Sequence, residues 1–327
     1  MVKMIVTPLV ALLLILFPQQ FIVSHSTPGN SVIAHAAGQA FERALHNKRA
    51  SYLVDTVPNI VIHSSLMNEG LVYDADLKKV VWQKGLNTRA DIASLSKMMT
   101  VLLVMESIQE KKYTWDSKVK IQKECTWIGG SSVDLQAGEV FTVHELVEAC
   151  LIASGNDACY SLAQYTSGSE KEFAKLMNWR AAELGMDNTL FFNSTGLPIY
   201  RGNIYTGFDD NYSTPNDLLL LAIELIKHPE ATEISSRPIF SIIHNNKKFD
   251  YSNHNALLFS YPEVDGLKTG FTRGAGFCLV ATATKSGHHL ISVILGTATI
   301  AGRTQVAVEM MNNYFASLAV PKLGIKQ

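Results

Sequence analysis

The sequence has almost no net charge: 28 lysines and arginines against 29 aspartates and glutamates leave −1 at pH 7. A chain without a basic field has nothing to hold a phosphate backbone, which excludes nucleic acid as a partner. Cysteine is scarce as well. Cys125, Cys150, Cys159 and Cys278 show no Cys-x-x-Cys spacing and no histidine cluster accompanies them, which argues against zinc. They read as buried free thiols, although an even count in an exported protein leaves open a bridge involving Cys150 or Cys159. No internal repeat or low-complexity tract occurs. The apolar run Leu9-Val10-Ala11-Leu12-Leu13-Leu14-Ile15-Leu16-Phe17, preceded by Lys3, is too short to span a bilayer comfortably but has the length of a signal h-region. Ala34-His35-Ala36 offers a signal peptidase small residues, unusually far beyond that run. Residues 1–36 therefore read as a signal peptide or an uncleaved N-terminal anchor, the latter implying membrane association, and residues 37–57 as a flexible lead-in. Export to the periplasm or cell envelope is the expectation.

What is present is a 327-residue chain, 47% hydrophobic and 17% charged, long enough to bury a large core. Gly70–Asp74 and Lys79–Gln83 read as a hairpin of two strands. Met98, Val101, Leu102, Met105 and Ile108 follow helical spacing. Thr142 and Glu145 hold capping-box positions before Leu146, Val147 and Leu151, so a helix starts there and runs into Ser154-Gly155-Asn156-Asp157. Further helical patterns cover 172–184 and 216–226, where His228-Pro229 should stop the second. From Val264 the pattern becomes a three-strand antiparallel meander with turns at Gly274-Ala275-Gly276 and Lys285-Ser286-Gly287, followed by a last amphipathic helix over about 304–318. Strands at both ends with helices between predict an α+β fold: one antiparallel sheet built from N- and C-terminal strands, with a mostly helical insertion. A groove at their junction is the natural site.

Ser94-Leu95-Ser96-Lys97 opens an apolar helix with a hydroxyl and an amine on one helical face. A serine hydroxyl is a poor nucleophile until something takes its proton, and an amine with a lowered pKa does so. The start of a helix further favours negative charge developing there. Ser-x-x-Lys is expected about once by chance in such a chain and occurs twice. Ser117 and Lys120 sit beside a polar stretch with no apolar helix behind it, so that copy reads as solvated surface. Two further motifs follow: Ser154-Gly155-Asn156, and Lys268-Thr269-Gly270, a tripeptide expected in about one such chain in ten. Together the three are a specific signal.

This trio, with Ser-Asp-Asn as the commoner middle member, is a known signature of penicillin-binding proteins and class A β-lactamases. Ala93 to Thr100, Gly130-Ser131-Ser132, Ala137-Gly138-Glu139, Gly196-Leu197-Pro198, Ser213-Thr214-Pro215 and Val264-Asp265-Gly266 extend the likeness over roughly residues 59 to 315. The chain resembles the low-molecular-mass penicillin-binding proteins, specifically the serine D-alanyl-D-alanine carboxypeptidases. The resemblance implies a β-lactamase/transpeptidase-like fold in one catalytic domain over 58–320, with no C-terminal β-domain expected. It implies Ser94 as the acylated nucleophile, Lys97 as its base and Ser154 as a proton relay to the leaving amine. Asn156 would hold the substrate amide and Lys268 would support Ser154. Thr269 and Gly270 would line the substrate strand, Thr269 bonding the terminal carboxylate with Arg303 as a second partner. The backbone N–H groups of Ser94 and Phe271 would form the oxyanion hole. No metal and no cofactor is implied. The expected partners are the peptidoglycan pentapeptide and, as covalent inhibitors, β-lactam antibiotics.

The short build also resembles the D-alanyl-D-alanine endopeptidases, which act on cross-links. A β-lactamase needs a deacylating glutamate in a Glu-x-x-Leu-Asn setting, which is absent, and a non-catalytic wall-binding protein need not keep all six motif side chains. His144, His254, His288 and His289 are set aside as bases because the serine-lysine pair leaves them no role. Asp209-Asp210 reads as a turn, not a metal or acid pair. The exposed start of a helix is an equally good reading of Arg303.

Overall fold

The computed structural model describes residues 62–201, 204–205, 210–244 and 247–319. The proposed signal or anchor, the lead-in and Asp209 lie outside them. The N-terminal hairpin forms as β1 (Glu69–Asp74) and β2 (Lys79–Lys84), and the meander as β3 (Val264–Thr272), β4 (Gly276–Lys285) and β5 (His288–Thr297). They make one antiparallel sheet in the order β3-β4-β5-β1-β2, with Leu71 opposite Val293 and Val72 opposite Ser292. The strands of 69–84 and of 264–297 thus complete a single sheet.

The helices are α1 (Lys97–Gln109), α2 (Val143–Leu151), α3 (Asn156–Ser167), α4 (Glu170–Leu184), α5 (Pro215–Leu225), α6 (Pro229–Ser235) and α7 (Ile300–Ala319). Side chains alternate across the sheet: Leu71, Leu267, Val280 and Val293 join the core shared with the inserted helices. Val72, Leu279, Ala281 and Ile294 face the other way and pack with Val306, Met310 and Tyr314 of α7. Two covered faces explain why β4 and β5 are almost uninterruptedly apolar.

α1 contacts α2, α3, α4 and α5, and is buried along nearly its whole length. The single apolar stripe read from its sequence was too narrow, because Met99, Leu103 and Val104 are buried too. The Thr142–Glu145 capping box forms as expected. Pro229 does not simply end a helix: α5 stops at Leu225, and Pro229 then opens α6, where its missing N–H costs nothing. The segment after Ser154 is not a loop beyond a helix. Asn156 is the first residue of α3, with Asp157 in the first turn accepting from the Ala158 N–H at 2.9 Å.

Candidate active site

Ser94 lies in a 3-10 turn, Ala93–Ser96, that runs directly into α1. Ala93 adopts φ +46°, a left-handed conformation that costs an alanine about 1–3 kcal/mol and survives only where its surroundings enforce it. Here they do. The preceding Ala90–Asp91 pairs with Tyr212–Ser213, the Ile92 N–H donates to the Asn211 carbonyl at 3.1 Å, and Ser96 Oγ donates to the Ala93 carbonyl at 2.8 Å. Two glycines let other backbone close in on the turn. A Cβ on Gly270 would stand 2.8 Å from the Ile92 oxygen, and one on Gly196 only 1.8 Å from the Ala93 oxygen. The glycine of Lys268-Thr269-Gly270 therefore has a steric reason: it brings β3 against the serine.

Lys97 Nζ is fully buried and lies 2.8 Å from Ser94 Oγ, 2.7 Å from Asn156 Oδ1 and 2.7 Å from the Thr195 carbonyl. The amide of Asn156 is oriented by its Nδ2 donating to the Gly129 carbonyl at 2.6 Å, so Oδ1 faces the lysine. Oδ1 and the Thr195 carbonyl only accept, and they use two N–H groups. In a neutral amine the lone pair is then left for the Ser94 hydroxyl proton. Burial holds the Lys97 pKa below the ordinary lysine range, which favours that neutral form.

Ser154, at φ +57°, and Thr269 line the same cleft, of about 360 Å³, with Ser94, Ser131 and Gly270. Asp157 holds the Ser131–Leu135 segment beside it, accepting from Ser132 Oγ at 2.6 Å and from the Leu135 N–H at 3.1 Å. Burial, followed by the Lys97 and Arg303 charges, brings the Lys268 amine down to about 7. Phe271, stacked on Phe277 at 4.2 Å, forms an apolar rim with Ile300.

Arg303 is in the first turn of α7 yet only 4% exposed, so it is not a solvated helix-start arginine. One guanidinium nitrogen donates to the His254 carbonyl at 3.2 Å, while buried Nε has no partner among the described residues. Arg303 thus puts a cationic group in the lining of the cleft, suited to an anionic ligand. His254 also lines the cleft, which its sequence neighbourhood did not signal. Although its outer edge is in solvent, enclosure by the cleft walls and the charges of Lys268, Arg303 and Lys97 bring its imidazole down to about 4. It is neutral at pH 7.

The other histidines are elsewhere: His144 packs edge-on against Trp115, His288 bonds Asp74, and His289 faces Asp265. Asp74, Asp76 and His288 cluster closely enough to suggest a metal. Both Asp74 oxygens are already committed, however, to the Asp76 and Leu77 N–H groups on one side and to His288 and the Tyr314 hydroxyl on the other. Glu170, between the second and third motifs, resembles a deacylating base only by position: its carboxylate accepts from the Ser194 N–H at 2.6 Å and from Ser194 Oγ at 3.0 Å.

Residues 63–299 match the family described as D-alanyl-D-alanine carboxypeptidase. The chain is 37% identical over 247 residues to D-alanyl-D-alanine carboxypeptidase DacF of Bacillus subtilis (strain 168), covering 75% of this chain and 61% of that protein. It is 37% identical over 233 residues to DacC of Escherichia coli (strain K12), covering 68% and 54%. The chain thus spans a little over half the length of these relatives. Among solved structures it is similar to penicillin-binding protein D2 of Listeria monocytogenes in the ampicillin-bound form, with TM-score 0.68 and 31% identity over 79% of this chain and 100% of that one. The D-alanyl-D-alanine carboxypeptidase DacD of Francisella tularensis gives TM-score 0.71 and 27% identity over 84% and 75%.

Proposed function

The chain belongs to the D-alanyl-D-alanine carboxypeptidase family, and from that premise we propose that it removes the terminal D-alanine of peptidoglycan stem peptides through an acyl-enzyme on Ser94. Lys97 takes the hydroxyl proton as Ser94 Oγ attacks the penultimate carbonyl carbon, and the backbone N–H groups of Ser94 and Phe271 stabilise the oxyanion. The C–N bond to the last residue breaks, Ser154 passes a proton to the departing amine with Lys268 beside it, and water then releases the acyl group. Asn156 holds the substrate amide, while Thr269 and Arg303 read the terminal carboxylate along the Gly270 strand. One observation carries this reading: a buried Lys97 amine 2.8 Å from Ser94 Oγ, with two carbonyl acceptors consuming its other valences. The ampicillin-bound relative supports β-lactam binding by this chain, and the reading makes Ser94 the group they acylate. Export to the cell envelope rests on the N-terminal apolar run; among the described residues no helix is long and apolar enough to cross a membrane.

Carboxylate recognition decides which bond is cut. Charge-assisted bonds to a free terminus should stabilise the productive pose. Amidating the terminus of a D-Ala-D-Ala peptide, or replacing Arg303 by Ala or Thr269 by Val, should lower kcat/KM by roughly ten- to a hundredfold, about 1.4 to 2.7 kcal/mol. Muropeptide products read by mass give the check. Faster cleavage of cross-linked dimers than of pentapeptides, with indifference to amidation, would instead establish an endopeptidase.

A further inference from the structure

The Thr195 carbonyl that accepts from Lys97 belongs to no helix or strand. Residues 191–196 run between α4 and α5 without regular structure, so their backbone polar groups need other partners, and side chains supply them. Asn178 serves Phe191, its Nδ2 donating to the carbonyl at 2.7 Å and its Oδ1 accepting from the N–H at 2.8 Å. Asn211 serves Asn193 in the same way, at 2.8 and 3.2 Å, and also donates to Ser96 Oγ at 2.8 Å. Glu170, the first residue of α4, holds the Ser194 N–H and Oγ, while the Ser194 carbonyl accepts from Thr100 Oγ1 at 2.8 Å and from the free thiol of Cys159 at 3.1 Å.

Asn193 closes the turn. Its Oδ1 accepts from the Thr195 N–H at 3.1 Å, from Thr195 Oγ1 at 3.0 Å and from the Gly196 N–H at 2.7 Å, and its Nδ2 donates to the Leu197 carbonyl at 2.9 Å. The Gly196 N–H and the Thr195 carbonyl are the two ends of one planar trans peptide group and point opposite ways. A fixed partner on the N–H therefore fixes the direction of the carbonyl, which meets Lys97 Nζ at 2.7 Å.

We propose that Asn193 is a positioning residue for acylation: its side-chain oxygen aims the Thr195 carbonyl at Lys97, and Glu170 anchors the same turn through Ser194. Asn193 is not among the residues lining the cleft, so it acts through the lysine and not on the substrate. With the Thr195 carbonyl and Asn156 Oδ1 each taking one N–H of the neutral amine, the lone pair is left for the Ser94 hydroxyl proton. If the carbonyl turns away, the amine is free to rotate an N–H toward Ser94 and the proton has no acceptor. This role rests on the hydrolase reading proposed above.

Saturable penicillin acylation, followed by intact mass, gives the maximal rate and the half-saturating drug concentration separately. Each variant is measured at the pH of its highest rate, beside a thermal melt. Asn193→Ala should lower the maximal rate about a hundredfold, the scale of a 1 Å displacement, and change half-saturation by less than about threefold. Asn193→Asp keeps the accepting oxygens and loses only the donor to Leu197, so it should recover to within about tenfold of wild type. Glu170→Ala should lower the maximal rate about tenfold, with Glu170→Gln recovering most of it. A role in folding alone predicts lower melting temperatures with the maximal rate intact. Asn193→Ala at the wild-type maximal rate, an equal loss in Asn193→Asp, or a loss confined to half-saturation overturns the proposal. Should Asn193→Ala melt below the assay temperature, the Glu170 pair decides by the same criteria. A wild type that takes up no drug refutes the hydrolase reading itself, and this role with it, an outcome distinct from variants that keep pace with an active wild type.

Discussion

Replacing Lys97 by Met should lower the rate of penicillin acylation by at least 10²- to 10⁴-fold, the range a positioned general base contributes, while the chain stays folded. Lys97 fills a site with no exposed surface, and a methionine of similar length fills it too. Two energies then oppose each other. Losing the amine strands the Asn156 Oδ1 and Thr195 carbonyl acceptors at about 1–3 kcal/mol each. Removing a group that must be desolvated returns several kcal/mol of the same order. Thermal melting should therefore shift by far less than the activity. The wild-type acylation rate should rise with pH along a limb set by Lys97, whose amine burial holds below the ordinary lysine range. Lys97→Met should flatten that limb. Stability follows the same sign: between about 7, where folded Lys268 titrates, and the ordinary lysine value of 10.5, only the unfolded chain holds the proton. Stability thus rises with pH through that window, and Lys268→Met should reduce the rise, leaving the share that the likewise depressed Lys97 contributes.

Gly196→Ala should be almost as damaging, through sterics alone. The new Cβ would lie 1.8 Å from the Ala93 oxygen and 2.3 Å from its carbonyl carbon, both backbone atoms, at φ +77°. Relief requires moving the turn that carries Ser94, or the Thr195 carbonyl one residue upstream. A displacement of about 1 Å in such machinery costs on the order of a hundredfold in rate. Gly138→Ala is the matched control: its φ is +91°, but nothing lies within 4 Å of the added Cβ. It should lose about 1–2 kcal/mol to left-handed strain and acylate normally. Acylation timed by mass, beside thermal melts of both variants, checks the pair.

Much of this was readable before any coordinates. Apolar runs punctuated by Gly-containing turns specified the strands of the meander, and the three-residue spacing of Ser94 and Lys97 put both groups over one turn. Context correctly separated the two Ser-x-x-Lys copies: Lys118–Lys120 is a strand, where positions three apart face opposite ways. What stayed hidden depends on backbone bends and distant partners. α3 was missed because Ser154-Gly155-Asn156-Asp157 read as the end of the preceding helix, whereas Asn156 opens a new one and Asp157 uses its carboxylate to hold the Val133 and Leu135 N–H groups from outside it. The left-handed Ala93 and Ser154 leave no local signature, since neither is the glycine such a conformation favours. His254 and Arg303 enter the cleft from segments 49 residues apart, joined by a bond from the arginine to the histidine's carbonyl.

Intact mass after incubation with penicillin tests the central claim most directly. Wild type should gain the mass of one drug molecule, with the modified peptide containing Ser94, and Ser94→Ala should gain nothing while melting like wild type. The same mass increase in Ser94→Ala, or a label mapped to Ser131 or Ser154, would contradict the assignment of Ser94 as the nucleophile.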